Sequence, residues 1–181
     1  RDTPAQALAA VVVVNNASSD GTEAWLSSQK DPRLTCLHMR ENLGGAGGFE
    51  AGLREAVNAY NPDWLVVMDD DARPTASALT DFVSQDRSKA EAWAAAVYHP
   101  DGRICDMNRP FRNPMWHSGL PQKVLTEGRN AFYLSAQDYS QTVTAKPVDG
   151  ASFVGLFVSR RAIDRVGYPN GNLFIYGDDV L

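Results

Sequence analysis

The sequence predicts an α/β fold, a mostly parallel sheet covered by helices on both faces. Apolar, β-branched stretches that end in polar loops alternate with helical stretches, which is the pattern of βαβ units. Between two of those stretches Phe49, Leu53, Ala56, Val57 and Tyr60 fall at i, i+4, i+7, i+8 and i+11, the stripe of a helix packed on a sheet. The 181 residues, 44% hydrophobic and 22% charged, are those of one ordinary globular domain, which excludes collagen, coiled coil and wholesale disorder.

The elements follow in order. Strands are expected over 11–14, 34–39 and 64–68, with helices over 22–29, 49–60 and 76–83. A further strand is expected over 94–98, long loops over 99–146, a strand over 153–158, and a short helix over 160–166 ended by Gly167. Only ten residues precede the first strand and the chain stops just after an acidic pair, so both ends read as cut from a longer protein.

Charge and cysteine usage narrow the function. Seventeen basic against twenty-two acidic residues give a net charge of −5, and without a basic stripe nucleic acid is not an expected partner. The apolar run over 7–14 is eight residues, against ~20 needed to span a bilayer, and no signal-peptide pattern is seen. Cys36 and Cys105 fit neither a disulfide framework nor a zinc site; they read as buried small residues in a reducing compartment.

Four segments carry chemistry. The first is Trp64-Leu-Val-Val-Met-Asp-Asp-Asp-Ala-Arg-Pro74, an apolar strand running into three carboxylates. Ligands of open α/β sheets bind at the carboxyl ends of strands. Adjacent carboxylates repel unless something positive binds, and hard oxygen ligands suit Mg²⁺ or Mn²⁺ bridging substrate phosphates. On a strand-like backbone Asp69 and Asp71 share a face and Asp70 points away, making Asp69 and Asp71 the metal candidates.

The second is Arg40-Glu-Asn-Leu-Gly-Gly-Ala-Gly-Gly-Phe49, four glycines opening a helix, where bare backbone N–H groups suit a phosphate. It is neither a Rossmann fingerprint, which from Gly45 and Gly47 needs glycine at Glu50, nor a P-loop, because the chain has no Gly-Lys pair. The third, Val14-Asn-Asn-Ala-Ser-Ser-Asp-Gly-Thr22, supplies capping side chains and a turn at a strand's carboxyl end. The fourth, Leu173-Phe-Ile-Tyr-Gly-Asp-Asp179, delivers two carboxylates side by side, an arrangement that raises one pKa toward general-base range. His38 reads as structural, and His117 after Trp116 as a candidate for binding a polar substrate.

Together and in this order, the blocks 15–22, 42–52, 68–74, 148–158 and 174–179 resemble the family 2 inverting glycosyltransferases, with the GT-A nucleotide-sugar-binding fold. The Gly-Gly-Ala-Gly-Gly-Phe form is similar to the galactofuranosyltransferase-like and rhamnosyltransferase-like branch. The resemblance implies a single GT-A domain over 1–181, with the nucleotide-sugar part in 1–98 and the acceptor side in 99–181. It implies donor contacts from Asn15, Asn16, Asp20, Asn42, Gly44, Gly45, Asp69, Asp70 and Asp71, with Asn15 and Asp20 near the base and ribose. The family usually has Asp where Asn15 stands; the amide oxygen still accepts from a uracil or thymine imide N–H. Asp69 and Asp71 match the Asp-x-Asp pair that holds Mn²⁺ or Mg²⁺ and the diphosphate. Asp179 matches the catalytic base, with Asp178 where Glu is common. Gly150, Ala151, Ser152 and Gly155 would line the acceptor side, where Trp116 and His117 are further candidates.

The implied reaction moves a sugar from a UDP- or dTDP-linked donor, UDP-galactofuranose among them, to a hydroxyl of a glycan or lipid-linked acceptor. The branch also implies cell-envelope polysaccharide synthesis at the cytoplasmic face of a membrane, by peripheral association. A nucleotidyltransferase of related fold is the nearest alternative, although the glycine segment 44–48 lacks the basic residue it needs. A non-catalytic nucleotide-sugar or glycan-binding module is the alternative from another class.

Overall fold

A computed structural model describes residues 3, 6–113, 115–140 and 144–174. Strand β1 (Val11–Asn15), helix α1 (Thr22–Ser28) and strand β2 (Leu34–His38) form the first unit, with β1 parallel to β2 and Val11 opposite Leu34. Helix α2 (Gly44–Tyr60) follows and packs on β1 and on strand β3 (Trp64–Val67). Helix α3 (Ala78–Ser84) and strand β4 (Ala92–Ala94) come next, then helix α4 (Leu120–Glu127), strand β5 (Leu156–Ser159) and helix α5 (Arg160–Val166).

Among the described strands the pairing is mixed rather than mostly parallel. Strand β5 lies between β3 and β4 and runs antiparallel to both, with Trp64 opposite Ser159 and Ala92 opposite Val158. The alternation of strand and helix predicts parallel neighbours only while successive strands are joined by one crossover helix. Between β4 and β5 the chain instead makes a long excursion and re-enters the sheet at the end it left, with Ala94 opposite Leu156.

The core forms where α2, β3, β5 and α5 meet. Leu53 and Val57 pack with Leu65, Val67 and Ile163, and Phe49, Phe153, Leu156 and Val158 close around them. Four residues of the stripe read from the sequence, Phe49, Leu53, Ala56 and Val57, lie on this face of α2, whereas Tyr60 is exposed. On the same sheet the Phe82 ring stacks on Phe157 at 4.0 Å, and Trp64 meets Phe82 edge-on at 5.1 Å, geometries worth ~0.5–1.5 kcal/mol each beyond area burial.

Several elements differ from expectation. Helix α2 starts at Gly44, not at Phe49, so the glycine run lies inside its first turns. Strand β4 is Ala92–Ala94 instead of 94–98, because its register is set by Leu156, Phe157 and Val158 of β5. Strand β5 starts at Leu156, three residues later than expected. In the stretch expected to be loops, α4 forms between Gly119 and Gly128 with a proline in its first turn, a placement that suits proline. Helix α5 matches expectation: the Ser159 hydroxyl accepts from Ala162 N–H at 3.1 Å and Gly167 N–H donates to the Ile163 carbonyl at 2.8 Å. Cys36 and Cys105 are free thiols, half-buried rather than buried.

Candidate functional site

The carboxyl end of β1 turns directly into the Asn-rich loop. Asn15 is only 4% exposed; its amide nitrogen donates to His38 Nδ1 at 3.3 Å and its oxygen accepts from Ser18 N–H at 3.0 Å. His38, expected to be structural, is exposed at the end of β2. Asn16 faces the start of α2: its nitrogen donates to Asn42 Oδ1 at 3.1 Å and to the Gly44 carbonyl at 2.8 Å, while its oxygen accepts from Leu43 N–H at 3.0 Å. Asn42 Oδ1 in turn accepts from Gly44 N–H at 2.8 Å. These side-chain oxygens stand in for carbonyls that a helix start lacks, so the helix extends back through residues of poor helix propensity. Asp20 accepts from the Thr22 hydroxyl at 2.6 Å and from Thr22 N–H at 3.1 Å, bonds that hold its carboxyl below the ordinary value. Between them Ala17 sits at φ 58°, a left-handed conformation uncommon for alanine.

The glycine segment also receives the C-terminal part of the described chain. Gly44 has φ +71°, and a Cβ there would overlap the Phe174 carbonyl. That carbonyl accepts from Ala46 N–H at 3.2 Å, and Gly171 N–H donates to Glu50 Oε2 at 3.0 Å. Three of the backbone donors at the start of α2, those of Leu43, Gly44 and Ala46, are therefore engaged by Asn16, Asn42 and Phe174. Phe174 itself adopts φ 63°. Asp178 and Asp179 lie outside the described residues.

Beyond β3 the strand geometry ends at Val67. The Asp69 carbonyl accepts from Ala72 N–H at 3.2 Å, so Asp70 and Asp71 lie in a turn, and the period-2 argument for which carboxylates share a face does not extend to them. All three aspartates are exposed at the carboxyl end of β3. Among the described residues no group of three or more His, Cys, Asp or Glu side chains is gathered for a metal ion. Two exposed carboxylates at a strand end nevertheless suit Mg²⁺ or Mn²⁺, which take one or two carboxylates and complete their shell with water and substrate phosphate.

Of the residues expected to border the acceptor, Gly150 is clipped, with Asp149, to residues 111–113. Phe111 N–H donates to the Gly150 carbonyl and Asp149 N–H to the Phe111 carbonyl, each at 2.9 Å. A Cβ on Gly150 would overlap the Phe111 ring. Ala151 and Ser152 are half-buried, and the segment then joins the sheet. There Gly155 N–H donates to the Val67 carbonyl at 2.9 Å and the Gly155 carbonyl accepts from Ala95 N–H at 2.9 Å. Trp116 is 70% exposed. Its neighbour His117 places Nε2 2.6 Å from Asp149 Oδ2, which also accepts from Asn113 N–H at 2.7 Å. Partial burial pushes the Asp149 carboxyl up, but the bonds from Asn113 and His117 outweigh it and the net shift is downward. Sequence reading missed Asp149, although it stands directly before Gly150 in one of the matching blocks.

A sequence model of glycosyl transferase family 2 matches residues 6–141. The chain belongs to that family. It is 32% identical over 171 residues to "Galactofuranosyltransferase GlfT1" of Mycolicibacterium smegmatis, covering 94% of this chain and 53% of that protein. It is 29% identical over 176 residues to the protein of the same name from Mycobacterium tuberculosis (94% of this chain, 52% of that protein). It is 25% identical over 167 residues to "Galactofuranosyl glycosyltransferase" of Leishmania donovani (82% of this chain, 38% of that protein). The chain thus spans about half the length of the mycobacterial relatives it matches. No solved structure matches significantly. This family 2 glycosyltransferase is galactofuranosyltransferase-like over most of its length, and its mixed α/β architecture is consistent with a GT-A-like domain.

Proposed function

We propose that the protein transfers a sugar from a UDP- or dTDP-linked donor, with UDP-galactofuranose the foremost candidate, to a hydroxyl of a glycan or lipid-linked acceptor, with inversion. The observation that carries this reading is the bond from Gly155 N–H to the Val67 carbonyl. It brings the acceptor-side segment against the strand that runs, two residues later, into Asp69. A donor held at the β3 end therefore lies beside the segment expected to hold the acceptor.

In this reading Asn15, Asn16 and Asp20 shape the edge that receives the nucleotide, and Asn42, Gly44 and Gly45 form the adjoining wall. Asp69 and Asp71, flanked by Asp70, would hold a divalent cation, which when bound would supply charge stabilisation for the leaving diphosphate. Asp179, next to Asp178, takes the acceptor hydroxyl proton as that oxygen bonds to the anomeric carbon. The anomeric bond to the diphosphate breaks on the opposite face, and its electron pair leaves with the nucleotide. Trp116, His117, Gly150, Ala151, Ser152 and Gly155 border the acceptor. Family membership and the galactofuranosyltransferase relatives favour this over a nucleotidyltransferase or a non-catalytic module. No described helix is long and apolar enough to cross a membrane. Peripheral association with the cytoplasmic membrane face is the proposed route to a lipid-linked acceptor.

The test is a transfer assay on the full-length protein with Asp69→Ala and Asp179→Asn. Asp179→Asn should keep donor binding and lose transfer by at least ~100-fold, the lower end of what a positioned general base supplies. Asp69→Ala should lose both. Wild-type rates in Asp179→Asn would refute the assignment of the base.

A further inference from the structure

Asp149 stands outside the donor chemistry, yet its carboxylate is the anchor of the acceptor-side loop. Its side chain is 18% exposed and lies between two donors, Asn113 N–H at 2.7 Å and the His117 ring at 2.6 Å. An ionised carboxylate only accepts, so the proton on this bond belongs to His117 Nε2. In the neutral ring that leaves Nδ1 bare, and no hydrogen bond to Nδ1 is present among the described residues; the His117 side chain is 45% exposed. The backbone on both sides is fixed. Asp149 N–H is bonded to the Phe111 carbonyl, while Trp116 N–H donates to the Asn113 carbonyl at 3.1 Å and Met115 N–H to Asn113 Oδ1 at 2.9 Å. In its neutral form the ring is thus held in one tautomer that presents a hydrogen-bond acceptor, and the residue before it in sequence, Trp116, is exposed.

We propose that Asp149 is a positioning residue that fixes the His117 ring so that its bare Nδ1 accepts a hydrogen bond from a hydroxyl of the incoming sugar acceptor, which rests against Trp116. This rests on the glycosyltransferase reading and deepens its acceptor side. In Asp149→Asn the amide nitrogen can donate to Nε2, which moves the ring proton to Nδ1 and turns an acceptor into a donor. His117→Phe removes the group from an exposed position without disturbing the core.

The experiment measures acceptor KM, kcat, donor Kd and Tm for full-length wild type, Asp149→Asn, His117→Phe and the double variant. Each single variant should raise acceptor KM about tenfold, the scale of one lost hydrogen bond, with donor Kd unchanged. The double variant should be no worse than His117→Phe alone, because Asp149 acts only through that ring. An unchanged acceptor KM in His117→Phe, additive losses in the double variant, or a parallel loss of donor affinity in Asp149→Asn would each overturn the proposal. Should Asp149→Asn fail to fold, the imidazole nitrogen NMR shifts of the wild type decide: protonated Nε2 with bare Nδ1 supports it, and the reverse tautomer refutes it. A wild type that binds donor but transfers no sugar to any acceptor would take down the parent reading as well, whereas unaltered kinetics in the variants of an active enzyme sinks the dyad alone.

Discussion

Both ends of the Asn16 amide are engaged, with Asn42 and Gly44 on one side and Leu43 on the other. Asn16→Ala removes all three of these hydrogen bonds from the segment that opens α2. The expected cost is about 1–2 kcal/mol at this partly exposed site, read as a lower urea midpoint with an unchanged slope. Wild-type stability in Asn16→Ala would mean the network is incidental. At this scale the sequence was legible by residue type: the Asn-rich loop and the Asp triplet were both recognisable as strand-end motifs. What each side chain touches was not, because the Asn16–Asn42 bond exists only once β1 and α2 lie side by side. Asp149 went unseen for the same reason, since its partners Asn113 and His117 are more than thirty residues away in sequence.

Helix α2 is the element on which the two segments converge, and its glycines differ in what they do. Gly44 has a left-handed backbone and the Phe174 carbonyl against it, whereas a methyl on Gly48 would meet its nearest neighbour, Asn16 Nδ2, at an ordinary 3.8 Å. Gly44→Ala should destabilise by about 2 kcal/mol or more, from the left-handed strain and the displaced carbonyl. It should also speed proteolysis around 170–174. Gly48→Ala should stabilise by about 0.5–1 kcal/mol through helix propensity. Thermal unfolding of the pair checks both signs, and equal effects from the two substitutions would contradict the packing described. Element boundaries were legible where local chemistry decides them, as at Ser159 and Gly167 around α5. They were not where a partner decides them: β4 takes its register from β5, and the glycine run becomes helical only because Asn16, Asn42 and Phe174 bind its exposed backbone.

For the whole molecule, the α/β class and the helix-on-sheet core followed from the apolar pattern, but the strand directions did not. Nothing local in the segment 94–155 announces that β5 will insert between β3 and β4 and run against both. Acid sensitivity is also a property of the assembled chain. The Lys146 ammonium and the Ser135 hydroxyl hold the Asp138 carboxyl down to about 2 from its ordinary 3.8, and Asp20 and Asp149 are shifted in the same direction. A depressed folded pKa contributes stability that is complete above the unfolded value and is lost as pH falls through the folded one. The Tm should therefore drop across the window from 3.8 to about 2, and Asp138→Asn should flatten that drop. Parallel profiles for wild type and variant would place the acid sensitivity elsewhere.

The central claim is that the end of β3 holds a nucleoside diphosphate through a divalent cation. Calorimetric titration of the full-length protein with UDP, dTDP and ATP, each with Mn²⁺ and then with EDTA, tests it most directly when repeated on Asp71→Ala. The account predicts that UDP or dTDP binds with Mn²⁺, that ATP does not, and that EDTA or Asp71→Ala removes the binding. A preference for ATP, or equal UDP affinity in wild type and Asp71→Ala, would contradict it.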